Sequence, residues 1–147
     1  MPTPPDRPGP VADGASRLTV LGPVEVTGPL APVPLGGPVQ RAILARVALE
    51  RGRPVPVASL VDDVWGPASG DRTHRSLATL VSRIRRAIEP LGWSVASGAG
   101  AYRFVAPPGS TDLEVFEAQV DAARRMSDPS RTADGIERAL GLWHAVP

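Results

Sequence analysis

The chain has 147 residues, room for one domain of about 100 residues and an appendage. With 42% apolar residues and a mean hydropathy near zero the composition is that of a soluble globular protein, and the absence of cysteine excludes disulfides, thiolate metal sites and a cysteine nucleophile. The formal charge of +1 hides an uneven distribution: all 16 basic residues are Arg, and residues 72–89 alone carry +4, leaving −3 for the rest.

In chain order, "MPTPPDRPGPVADGAS" is too rich in proline for helix or strand and has no apolar stretch of signal-peptide length, so residues 1–16 read as a disordered leader. Nowhere do 18 apolar residues run together, so no membrane span is expected and the expected location is cytoplasmic. From Leu18, "RLTVLG", "VEVTG" and "VPLG" are short β-like runs broken by Gly and Pro, which suit a small antiparallel sheet. "GGPVQRAILARVALERG" then places Pro38 in a first helical turn, Ile43, Leu44, Val47 and Ala48 on one side, and Gly52 as a stop. "RPVPV" is a brief extended link to a second, short helix, "ASLVDDVWG", with Leu60, Val61, Val64 and Trp65 on one stripe.

After the loop "GPASGD", Asp71 is placed to cap a third helix. Leu77, Val81, Ile84 and Ile88 follow at spacings of four, three and four, which stacks them on one inward face. The opposite side carries Arg75, Ser76, Thr79, Ser82, Arg83 and Arg86 with no opposing carboxylate. Two alternating runs, "LGWSVAS" and "AYRFVA", joined by Gly98, Ala99 and Gly100, make a hairpin. The fold class is therefore α+β: a winged helix over residues 17–108, built from an N-terminal antiparallel sheet, three helices and a C-terminal hairpin wing. Residues 109–147 form an α-helical hairpin, with Leu113, Phe116, Val120 and Ala123 as one stripe and Ala133, Ile136, Leu140 and Trp143 as the other. That pair cannot bury both its faces alone.

A helix fits the major groove of B-DNA, and Arg, Ser and Thr supply what its floor and rims accept. Arg takes guanine O6 and N7 in a bidentate fork, Ser and Thr bond a base edge or a phosphate, and the Thr methyl meets a thymine methyl. Arg83, mid-face and one turn after Thr79, is the first candidate for base readout, with Thr79 and Ser82 beside it. Arg72, Arg75, Ser76, Arg85 and Arg86 are candidates for the phosphate backbone, which positions the protein without reading sequence. A solvated helix surface is the bland alternative; the one-sided charge, the missing acids and the hairpin that follows argue against it.

Elsewhere the chain offers little chemistry. His74 and His144 are 70 positions apart with no third ligand at metal spacing, so no metal site is expected. Asp62 and Asp63 diverge around their helix and read as solvated residues or as partners for an arginine. Trp65, Trp93 and Trp143 suit a core or a domain contact. "SGAGAY" opens onto a strand, which does not support a phosphate-cradling loop. No nucleophile, base and orienter set points to an enzyme, and no cofactor is implied.

Taken together, "LGPVEV", "PLGGPVQRAIL", "RGRPVPVASLVDDVWG", "LVSRIRRAI", "YRFV", "DLEVFEAQVDAARR" and "ALGLWHAVP" resemble the Streptomyces antibiotic regulatory protein (SARP) family of transcriptional activators. The resemblance covers Leu18 to Pro147 and rests on order and spacing. It implies an OmpR/PhoB-type winged helix followed by a bacterial transcriptional activation domain. It implies also an activator of secondary-metabolite genes that binds direct repeats in double-stranded DNA, two protomers side by side, and engages RNA polymerase and its sigma factor. The connection Gly66, Pro67, Ala68, Ser69, Gly70 and Asp71 matches the loop that OmpR-type regulators offer to polymerase; a plain connector is the alternative.

There are departures from the family. Leu80 stands where relatives commonly carry Tyr and Ala78 where they carry Gln, which removes one phosphate and one polar contact. The wing tip has no arginine, and Ala101 replaces the Gly that commonly precedes the Tyr. Arg103, in "YRF", is a strand-surface or a phosphate residue. The family's activation domain is longer than Asp112–Pro147, as for a fragment or a shortened member. The bare wing tip and the missing Tyr suit a rival reading, a protein-interaction module whose arginine strip meets an acidic partner.

Overall fold

The structure, a computed structural model, describes residues 16–67 and 71–143, with the backbone only at Asp71 and Arg72. The proline-rich leader up to Gly14 and Ala15, and Ala68, Ser69 and Gly70 of the connection, lie outside the described residues. The chain divides into two compact units. One runs from Pro32 to Pro107; the other combines the residues up to Ala31 with those from Pro108 on.

The Pro32–Pro107 unit holds strand β3 (Pro32–Val33), helix α1 (Pro38–Leu49), strand β4 (Val55–Pro56), helices α2 (Val57–Trp65) and α3 (Asp71–Ile88), a 3-10 turn (Glu89–Leu91), and strands β5 (Ser94–Gly98) and β6 (Ala101–Val105). On α1 the four expected residues Ile43, Leu44, Val47 and Ala48 are the buried ones. The helix ends before the expected stop, because Arg51 and Gly52 both adopt positive φ, 57° and 86°. Leu77, Val81, Ile84 and Ile88 of α3 are each at most 1% exposed, so the face that the periodicity marks is the face that packs.

One strand escapes local sequence rules. "RPVPV" supplies β4, whose Val55 pairs with Tyr102 and Pro56 with Ala101, making a three-stranded sheet in the order β4, β6, β5. Proline is tolerated there because β4 is an edge strand, where its missing N–H costs no ladder bond. Trp93 and Phe104 close the core edge to face, ring centroids 5.8 Å apart. Arg46 ties α1 to α2: its Nε donates to Asp63 at 2.6 Å and its Nη1 to Glu50 at 2.9 Å. The hydrogen bond to Asp63 is the main cause of the upward shift of the Arg46 pKa, against the desolvation that lowers it.

The wing turn is tighter than three residues. β5 and β6 pair up to Gly98 and Ala101, so Ala99 and Gly100 alone make the turn, both at positive φ, 52° and 73°. That is the two-residue hairpin geometry that favours Asn-Gly, and an alanine there carries left-handed strain of about 1 kcal/mol. Replacing Ala99 with Asn should therefore stabilise this unit by about 1 kcal/mol, read as a raised midpoint in thermal or urea unfolding.

In the other unit, strands β1 (Arg17–Thr19) and β2 (Glu25–Thr27) pair antiparallel, with Leu18 opposite Val26. Helices α4 (Asp112–Arg124) and α5 (Pro129–Leu140) form the expected hairpin. Strands β1 and β2 fall in the same compact unit as α4 and α5. The carboxylate of Asp112, 3% exposed, accepts from Val20 N at 2.8 Å and from Leu21 N at 3.2 Å, and Leu18 N donates to Ser110 O at 2.8 Å. Thr111 caps α4 by accepting from Glu114 N at 3.1 Å, while the Glu114 carboxylate accepts from Gly109 N at 2.7 Å. Burial lowers the Arg17 pKa from its usual value, opposed by the charge of Asp112.

The stripe expected on α5 is corrected as well. Ala133 is exposed, Leu140 and Trp143 are 54% and 53% exposed, and the buried line is Gly135, Ala139 and Leu142. The cause is close approach: a Cβ on Gly135 would stand 2.6 Å from that of Ala123. The two helices close on their smallest side chains, and Trp143 and Phe116 meet edge to face, 5.7 Å between centroids.

Candidate nucleic-acid interface

Helix α3 presents its outward strip on a helix without Asp or Glu from Thr73 to Ile88. Arg75, Ser76, Thr79, Ser82, Arg83 and Arg86 are all exposed, as the spacing requires. Among the described residues no ion pair engages Arg75, Arg83 or Arg86. Three guanidinium groups thus stand on one helix face with their charge uncompensated, the condition for attracting a polyanion.

Arg75, Thr79 and Arg83 stand at successive steps of four along the wall of an open groove of about 660 Å³, joined by Ser76, Leu80, Val39 of α1 and Trp65 of α2. Trp65 is half-buried and not a core residue, so sequence reasoning missed its place beside the strip. The signal was its position as the last residue of α2, where a helical stripe runs out of neighbours to pack against. Leu80, Val39 and Trp65 make this flank apolar. The Thr79 hydroxyl donates to Arg75 O at 3.3 Å, one turn back.

Three other expected positions stand apart from the strip. Arg85, grouped above with the phosphate contacts, is half-buried: its Nε donates to Val95 O at 2.6 Å and its guanidinium carbon lies 5.9 Å from the Tyr102 ring centre. Arg103 is exposed on β6, and strand alternation puts it on the face of the ladder opposite Tyr102 and Phe104. The side chains of Arg72 and Asp71 lie outside the described residues, which leaves the expected Asp71 cap there too. Of the connection toward α3, Gly66 and Pro67 are described; Gly66 ends α2 at φ 94° and donates its N–H to Asp62 O at 2.9 Å.

Among the described residues no group of three or more His, Asp or Glu is placed to hold a metal ion, and no helix is long and apolar enough to cross a membrane.

Three helices, with a hairpin after the third and an added edge strand, define a winged-helix fold. No protein-family model matches the chain. It is 33% identical over 133 residues to the regulatory protein AfsR of Streptomyces coelicolor, covering 88% of this chain and 13% of AfsR. It is 36% identical over 136 residues to the transcriptional regulatory protein EmbR of Mycobacterium tuberculosis, covering 84% of this chain and 34% of EmbR. A solved structure of M. tuberculosis EmbR, in complex with a low-affinity phosphopeptide, superposes with a TM-score of 0.76 at 29% identity, covering 88% of this chain and 36% of that one. By sequence and by fold the chain is similar to transcriptional regulators of the SARP type. It spans well under half the length of these relatives.

Proposed function

We propose that this chain is a sequence-specific double-stranded DNA-binding regulator of transcription, which lays α3 in the major groove. The observation that carries the reading is the uncompensated strip of Arg75, Arg83 and Arg86 on one exposed face of the third helix of a winged helix. Arg83 forks onto a guanine, Thr79 and Ser82 meet neighbouring base edges, and Arg75, Ser76 and Arg86 hold the phosphates. The regulator relatives support this assignment, and such work would be done in the cytoplasm. Activation of secondary-metabolite genes through promoter direct repeats, with two protomers side by side, follows the SARP pattern. So does a contact from the Gly66–Asp71 connection to RNA polymerase and its sigma factor.

Selection of randomised duplexes on the 147-residue chain, at about 150 mM salt where charges are screened beyond roughly 8 Å, tests the reading. Enrichment of a spaced direct repeat supports it; salt-sensitive binding without enrichment counts against it. The second reading, an interaction module with weak DNA binding, draws on the wing turn of Ala99 and Gly100, which offers no arginine to a minor groove.

Phosphate neutralisation should dominate affinity. With about 4 to 6 phosphate contacts per protomer, log K against log salt should fall by roughly 0.9 per contact. Arg86→Ala should weaken selected and random duplexes alike and make that slope shallower by about 0.9, measured by titration at several salt concentrations. An unchanged slope would remove Arg86 from the phosphate contacts.

A further inference from the structure

Arg85 lies between the outward strip and the buried stripe of α3, and it reaches across to the wing. Its Nε donates to the carbonyl of Val95 on β5 at 2.6 Å, and its guanidinium lies over the ring of Tyr102 on β6 at 5.9 Å. Val95 pairs with Phe104 and Tyr102 with Ser97, so one side chain grips both strands of the hairpin, two register steps apart. Tyr102 is in addition the residue that pairs with Val55 of β4, at the centre of the sheet.

We propose that Arg85 is a positioning residue that couples the wing to the recognition helix and sets the depth and rotation at which Arg83 is presented, a role that rests on the DNA-binding reading above. A bidentate contact to a base tolerates errors of only about 0.5 Å and 10–20°. A helix held to its sheet by apolar contacts alone has freedom to roll by that much, since dispersion contacts are non-directional. A directional hydrogen bond to a fixed carbonyl, with a ring 5.9 Å from the same guanidinium, restricts that freedom. The planar guanidinium is the group that does both at once; an ammonium is a point charge without a fork or a stacking plane.

Arg85 differs in this from Arg83, two residues earlier, and Arg86, the next residue, which are exposed. With a ring on one face and a carbonyl on Nε, Arg85 acts through Arg83 and makes no phosphate contact of its own.

The test uses the full chain with the duplex enriched by selection and a shuffled duplex of equal length, across a range of salt. Arg85→Gln should leave the salt slope of both duplexes unchanged and lower the ratio of selected to shuffled affinity roughly tenfold. Tyr102→Leu should do the same, and the double variant should be no worse than either, because both act through one contact. Arg85→Lys, which restores the charge, should not restore the ratio.

A slope shallower by about 0.9 in Arg85→Gln, restored by Lys and untouched by Tyr102→Leu, would make Arg85 a phosphate ligand and overturn the proposal. So would an unchanged ratio in Arg85→Gln, Tyr102→Leu and the double variant. If Arg85→Gln does not fold, Tyr102→Leu decides by the same two readings. A chain that binds both duplexes equally before any substitution removes the DNA-reading role and the positioning role together. In that case amide exchange without DNA still reports the coupling itself, as faster exchange of both β5 and the last turns of α3 in Tyr102→Leu.

Discussion

Replacing Arg83 by alanine should weaken binding to the selected duplex by about 1 to 3 kcal/mol and blur the preference at one base pair, leaving the others sharp. The magnitude follows from what is lost. A bidentate fork onto guanine is replaced by a methyl group, and the guanine O6 and N7 return to water without a protein donor. Arg83 is exposed, so its removal leaves no cavity and no orphaned partner in the free protein. The loss therefore appears in binding and not in the unfolding midpoint. Repeating the duplex selection with Arg83→Ala checks this directly. A uniform loss across all sequences, with a slope shallower by about 0.9, would move Arg83 into the group of phosphate contacts with Arg86.

Asp112→Ala should cost about 3 kcal/mol or more of stability in the unit built from β1, β2, α4 and α5. Each hydrogen bond to a charged acceptor is worth roughly 1.5 to 3 kcal/mol, and here two are removed at once. The N–H groups of Val20 and Leu21 then lose their acceptor, the second of them in a buried position. Urea unfolding with amide exchange at Val20 and Leu21 is the measurement. Asp112→Asn, which keeps one acceptor oxygen, should fall between the two. Equal exchange rates in all three proteins would show that the Asp112 carboxylate does not hold the strands to α4.

These two residues mark where sequence is informative and where it is not. The outward position of Arg83 was legible because α3 runs for 18 residues with one period, so Leu77, Val81, Ile84 and Ile88 define inward and the side opposite them outward. Asp112 was not, since its partners lie 92 and 91 positions away and no local pattern carries that distance. Strand β4 was missed for the same reason: two residues, one of them proline, become a strand only when Tyr102 and Ala101 arrive beside them.

Arg85 shows a different limit. Periodicity assigns an angle around the helix, and a residue between the two faces goes to whichever neighbour can satisfy it. Here a carbonyl on β5 was within reach of the guanidinium. On α5 the misreading came from scoring large apolar side chains, when Gly135 admits Ala123 more closely than any larger pair would allow.

The contact of Gly135 with Ala123 has a geometric consequence for the helical pair. Side-chain size rises from that contact, near the connection between the helices, to Phe116 and Trp143 at the far end. The helices meet where two side chains total one methyl group, so a single carbon added at Gly135 would have to be absorbed by a shift of one backbone against the other.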